Sequence, residues 1–159
     1  MLTNALRLLS VLLVALSLGA GLAHLFALPN KINLPAAEYL VAQQVYRGWA
    51  LLGIVIFGAQ LSTVLLAIRI RRQRWAFMLT LVAAVCIALS LAIFFVFTFP
   101  TNQQTANWTM LPEHWQTLRM QWEYSHAAGA VLYFIALTCL TLSLLPPTVM
   151  PATRMRDEW

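Results

Sequence analysis

The sequence predicts an all-α integral membrane protein: a four-transmembrane-helix antiparallel bundle with a periplasmic cap formed by its two longer loops. Three observations predict it. Charged residues are 9% of the 159-residue chain and hydrophobic residues 61%, whereas soluble domains are about a quarter charged. Four apolar runs, 8–28, 45–68, 75–99 and 122–145, each reach the roughly 20 residues that cross a bilayer core. The seven prolines fall at or beyond the ends of those runs, where helix breakers belong.

The first helix is expected over about residues 6–28. Arg7, the apolar run behind it and the small residues 19–21 have the outline of a secretory signal, but the run continues to Leu28 and reads as an uncleaved helix. In the following loop, Leu34-Pro35-Ala36-Ala37-Glu38 reads as a turn and a helix start, with Pro35 at an early helical position. The second helix is expected over 45–68, followed by a tight arginine-rich turn, 69–74, and a third helix over 75–99. Met110-Leu111-Pro112-Glu113 then opens an amphipathic segment that runs into the fourth helix, about 113–145. Connections this short favour up-down-up-down packing in one domain, residues 1–159. Small residues such as Gly19, Gly21, Gly48, Gly53, Gly58, Gly129 and Ala130 should mark close helix contacts.

Orientation follows from the loop charges. Arg7, Arg69, Arg71, Arg72, Arg74, Arg154 and Arg156 fall on one side, against Lys31, Arg47 and Arg119 on the other. The positive-inside rule places both termini in the cytoplasm and loops 29–44 and 100–121 in the periplasm of a bacterial inner membrane. This asymmetry accounts for the net charge of +5. No aromatic-interleaved basic patch of the nucleic-acid-binding kind is present. Trp49, Trp75, Trp108, Trp115 and Trp122 form the expected interfacial belt. Cys86 and Cys139 lie at different depths and have no zinc-type spacing, so both read as packing residues. Asn107-Trp108-Thr109 is a glycosylation sequon, which matters only in a eukaryotic secretory host.

The chemically capable side chains gather on the outer side: His24, Lys31, Glu38, Arg47, Asn102, Glu113, His114, Arg119, Glu123 and His126. Arg119, Glu123 and His126 share one face of the fourth helix, a spacing that predicts an Arg119–Glu123 pair. Glu123-Tyr124-Ser125-His126 is a Glu-x-x-His pattern, but one such motif under-supplies a di-metal site. His24 lies at the matching depth of the first helix, and ionisable groups inside a span are functional candidates by default. Three chemistries fit the two histidines. They can ligate a haem b iron from both sides, bind a single transition metal with Glu123 as third ligand, or act without a cofactor as bases toward an organic substrate. Absence of a CxxCH motif leaves no covalent haem attachment. In these readings Arg119 holds an anionic oxygen, and Trp108, Trp115 and Trp122 wall a planar apolar ligand.

The string Pro100-x-Asn102, Asn107-Trp108, Trp115-x-x-x-Arg119-x-x-Trp122-x-x-x-His126 resembles the anthrone oxygenase-like family of small four-helix membrane proteins. His24 followed by Leu28-Pro29, and Tyr46-Arg47-Gly48-Trp49, add to the likeness. The topology is shared along the whole chain; the specific motif occupies residues 100–126. The resemblance implies a monooxygenase-like oxidation of planar aromatic or quinone-like substrates without a classical cofactor. It also implies Asn102, Trp115, Arg119, Trp122 and His126 as site residues. Two other functions compete with it: a non-catalytic haem, metal or quinone carrier in a redox assembly, and a structural subunit that binds a periplasmic partner. As an assembly, a homo-oligomer or a subunit of a membrane complex is expected.

Overall fold

A computed structural model of the protein describes residues 1–145. Among these residues there are helices and turns and no strand. The helices are α1 (Leu2–Lys31), α2 (Ala36–Gln43), α3 (Leu52–Arg69), α4 (Arg74–Ile93), α5 (Phe99–Gln104) and α6 (Trp115–Ser143). Four stretches are long and apolar enough to cross a membrane: Leu2–Lys31, Trp49–Arg69, Arg74–Gln104 and Trp115–Ser143. α6 packs mainly on α4 and α1, and α3 on α1 and α4, so the four form a closed bundle.

The bundle is apolar outside and small or weakly polar inside. Leu8, Leu12, Leu16, Ile54, Phe57 and Phe134 are exposed, while Ser10, Ser17, Ser62, Thr63, Thr80 and Ser90 are buried among Val14, Ala59, Ala83, Ile87 and Ala136. Three of these hydroxyls bond backbone about one turn back: Ser17 Oγ to Leu13 O (2.9 Å), Ser62 Oγ to Ala59 O (3.2 Å) and Thr80 Oγ1 to Ala76 O (2.8 Å). This suits a chain whose outer surface meets hydrocarbon and whose helices associate by close packing. Gly21 is such a contact, since a Cβ there would sit 3.1 Å from Ala130 Cα. Gly19, Gly48 and Gly53 face open space and mark no helix contact.

Several boundaries differ from the sequence expectation. Pro29 lies inside α1 instead of ending it. Its ring removes one backbone donor, but Ile32 N still bonds Leu28 O (2.9 Å) and the last turn continues. Pro100 likewise does not end the third span. A π-helical turn, Phe94–Thr98, shifts the hydrogen-bond register, and α5 continues through the proline at its first turn. The second helix starts later than residue 45, because Gly48 takes a left-handed φ of 86° between two short 3-10 turns, Gln44–Tyr46 and Trp49–Leu51. Only glycine adopts this readily. Pro146, Pro147, Pro151, Arg154 and Arg156 lie outside the described residues.

Candidate functional site

Two helices set the site. On α1, His24 and Lys31 are seven residues apart, close to two full turns, and so share a face. The unbroken passage through Pro29 keeps Lys31 on that face. On α6, Trp122, Glu123 and His126 are within one turn of each other.

The two histidines meet. Their ring centroids are 4.0 Å apart. His24 is 6% exposed, stacked on Tyr46 at 4.2 Å and met edge-on by Trp122 at 5.0 Å and Trp49 at 5.5 Å. His126 Nδ1 donates to the Trp122 carbonyl at 2.9 Å. A carbonyl can only accept, so this bond places the proton on Nδ1 of the neutral ring and leaves Nε2 as the lone-pair nitrogen. His24 Nδ1 is buried and has no partner among the described residues.

Alongside runs a buried polar network. Lys31 Nζ lies 2.9 Å from Glu123 Oε1 and donates to Tyr46 Oη at 2.9 Å. Tyr39 Oη donates to the same Glu123 oxygen at 3.0 Å, and Gln43 Nε2 donates to Tyr39 Oη. Glu123 and Tyr39 are 1% and 0% exposed. A carboxylate so buried needs both a cation and hydrogen-bond donors to offset its lost hydration. Burial and the neighbouring Glu123 charge, helped by their hydrogen bond, push the Tyr39 phenol well above its ordinary range. Tyr39 is therefore a neutral donor.

An aromatic floor closes the site. Trp122 Nε1 donates to Asn102 Oδ1 at 2.8 Å, an approach made possible by the continuation of the third span beyond Pro100. Trp108 is 3% exposed and packs between Tyr39 (5.0 Å) and Trp122 (6.0 Å). Its backbone belongs to a run of three left-handed residues, Ala106, Asn107 and Trp108, with φ of 46°, 54° and 61°. Each left-handed non-glycine residue costs about 1–2 kcal/mol. The bonds from Asn107 N to Asn102 O (2.7 Å) and Trp108 N to Thr105 Oγ1 (3.1 Å) hold the run.

The Arg119–Glu123 pair expected from spacing does not form. Lys31 takes the carboxylate, and Arg119 turns away, donating to Leu34 O at 2.8 Å with its guanidinium over Trp115 (4.6 Å) and Tyr39 (5.3 Å). Glu38, Glu113 and His114 are exposed and take no part. The fold thus brings together His24, His126, Glu123, Trp122 and Asn102, with Arg119 and Trp115 one layer out. Sequence reasoning named Lys31, Tyr46 and Trp49 without giving them a place in the site, and missed Tyr39 and Gln43. The seven-residue step from His24 to Lys31 was the available signal; nothing in the sequence pointed Tyr39 inward.

Neither cofactor arrangement fits this geometry. A porphyrin between the two imidazoles needs nitrogens about 2 Å from the iron on each side with a macrocycle between the rings, and rings 4.0 Å apart are already in contact. Of the proposed metal set His24, His126 and Glu123, Glu123 Oε1 is engaged by Lys31 and Tyr39, and its Oε2 is buried without a partner among the described residues. Among the described residues no three His, Cys, Asp or Glu side chains come close enough to hold a metal ion. No protein-family model, curated protein or solved structure matches the chain.

Proposed function

We propose that the protein is a membrane-embedded oxygenase of the anthrone oxygenase-like type, using its histidine pair as a base toward a planar aromatic carbon acid. One observation carries this reading: two histidines in ring contact inside an aromatic box, one with Nε2 free by its tautomer and the other with Nδ1 buried and unpartnered. Polar atoms left without partners in an apolar surround are costly to keep, and a substrate proton or hydroxyl supplies the missing contact. His126 Nε2 removes a proton from the activated methylene of an anthrone-like substrate, and the aromatic oxygen takes up the charge. Dioxygen then adds at that carbon, and loss of water leaves the carbonyl. In sum, one CH2 and one O2 give one C=O and one H2O. Trp49, whose edge meets His24, also borders an open groove lined by Leu16, Gly19, Ala20 and Gly48, where a flat ring system can pack. Asn102 fixes the tilt of Trp122 through its indole nitrogen.

The same reading orients the molecule. The four spans run antiparallel, residues 29–44 and 100–121 cap the site at the periplasmic face of a bacterial inner membrane, and both termini are cytoplasmic. Its support is the loop charge asymmetry, with Arg7, Arg69, Arg71, Arg72 and Arg74 against Lys31, Arg47 and Arg119.

The test separates proton abstraction from oxidation. Protein in mild detergent is mixed with an anthrone in D2O without oxygen, and methylene deuterium exchange is followed by NMR. Admission of oxygen then measures quinone formation. We expect exchange to be faster than in detergent alone, with His126→Gln lowering it about 10²–10⁴-fold. Equal exchange with the wild-type protein and with His126→Gln would overturn the base role.

A further inference from the structure

We infer that Tyr39 is a redox-active tyrosine, connected to the histidine pair by Trp122 and Trp108 and able to hold a one-electron oxidising equivalent as a neutral radical. Four contacts carry the path. His126 lies 4.1 Å from the Trp122 ring, Trp122 lies 6.0 Å from Trp108, and Trp108 lies 5.0 Å from Tyr39. Tyr39 Oη in turn donates to Glu123 Oε1 at 3.0 Å. Indole and phenol rings are the most readily oxidised side chains in the region, and rings in near contact exchange electrons far faster than rings separated by aliphatic packing.

Electrostatics decides where the oxidising equivalent stops. Lys31 Nζ sits 5.1 Å from the centre of the Trp122 ring, and the Arg119 guanidinium sits 4.6 Å from that of Trp115. A radical cation on either indole faces a full positive charge. The other nearby phenol, Tyr46, fares no better. Lys31 Nζ is 4.5 Å over its ring and donates to its oxygen, so the proton acceptor it needs is an ammonium instead. Among the described residues Tyr39 alone donates its phenolic proton to a carboxylate. Loss of one electron from Tyr39, through Trp108 and Trp122, breaks its O–H bond and passes the proton to Glu123. The ring is left neutral beside Arg119, and the oxidant gains one electron. The class of oxidant this step requires in the protein is an oxygen-derived radical; in the laboratory any strong one-electron oxidant serves. The three left-handed residues that seat Trp108 between Tyr39 and Trp122 are strain of the kind retained where function requires it.

The chain holds four tyrosines, of which Tyr124 is exposed and is first replaced by Phe. The folded Tyr124→Phe protein in detergent is oxidised with photogenerated tris(bipyridine)ruthenium(III), with persulfate as electron acceptor, and frozen for EPR. A tyrosyl signal is expected, undiminished by Tyr46→Phe or Tyr133→Phe, lost with Tyr39→Phe, and weakened by Trp108→Phe. Should Tyr39→Phe fail to fold, persistence of the signal in the other two variants assigns it to Tyr39 by elimination. No tyrosyl signal in the parent, or its loss with Tyr46→Phe or Tyr133→Phe, overturns the inference. The experiment uses no substrate, so its outcome is independent of the base role of His126.

Discussion

Lys31 Nζ lies 2.9 Å from Glu123 Oε1, and each partner shares a helix with one of the two histidines. The pair therefore fixes the relative height of α1 and α6 at the level where His24 and His126 meet. It also stands where spacing on α6 alone predicted an Arg119–Glu123 pair, because a cation from a facing helix can reach a buried carboxylate that Arg119, drawn to Leu34 O and Trp115, leaves free.

Removing one partner leaves a buried charge. Lys31→Met is expected to destabilise the fold by about 3–5 kcal/mol, and the double change Lys31→Met with Glu123→Leu to recover much of that loss. Unfolding in mixed detergent micelles measures both. Equal losses for single and double variants would show that the pair is not the coupled unit described.

Members of one site are not additive. His24→Ala and His126→Ala should each remove most of the anthrone exchange activity, and the double variant should lose little more. Independent, multiplying losses would place the two rings in separate roles.

Glycine positions give a packing test. Gly21→Val puts a side chain against Ala130 backbone at 3.1 Å and should cost about 1–3 kcal/mol by overpacking. Gly19→Ala meets nothing within 4 Å and should leave stability unchanged or slightly raised. Detergent-denaturation midpoints of the two variants, compared with the parent, check the contrast.

Alkaline titration should single out Tyr39. An ordinary phenol ionises near pH 10, whereas burial and Glu123 hold the Tyr39 proton well beyond that. Because the folded protein keeps a proton that the unfolded chain gives up, the contribution is full below about pH 10 and falls as pH rises above it. Ultraviolet phenolate absorbance should therefore show Tyr39→Phe losing no transition near pH 10. A transition there that vanishes with Tyr39→Phe would contradict its burial beside a carboxylate.

Orientation is checked by reporter fusions in a bacterial host. A fluorescent protein at the C-terminus should glow, and alkaline phosphatase there should be silent. The reverse pattern would move the site to the cytoplasmic face.

The helices were legible because span length and the avoidance of charge by hydrocarbon leave few alternatives. Their ends were not. Proline reads as a stop, yet the last turn around Pro29 survives because α1 loses one donor without losing its packing, and the π-helical turn lets the third span absorb Pro100. At the site, His24 and His126 were legible by depth, since both sit inside apolar runs where an imidazole is conspicuous. Tyr39 and Gln43 were not, because a short helix in a polar loop gives no sign of which face turns inward. The alternatives of haem and metal could be judged only by distance: residue types allowed them, but rings in contact leave no room for a porphyrin, and among the described residues no three potential ligands converge on a metal ion.

The left-handed run at Ala106, Asn107 and Trp108 has a consequence for how the molecule comes apart. An isolated chain seldom visits that conformation, so the turn persists only while Tyr39 and Trp122 are in place to receive the indole. The apolar cluster of Tyr39, Trp108, Leu118 and Trp122 is also separate from the cluster that joins α1, α3, α4 and α6. Two cooperative units follow. The segments that carry Tyr39 and Trp108 should open and reclose as one while the helices stay assembled, so amide exchange at residues 105–110 should report a lower opening energy than exchange along α6.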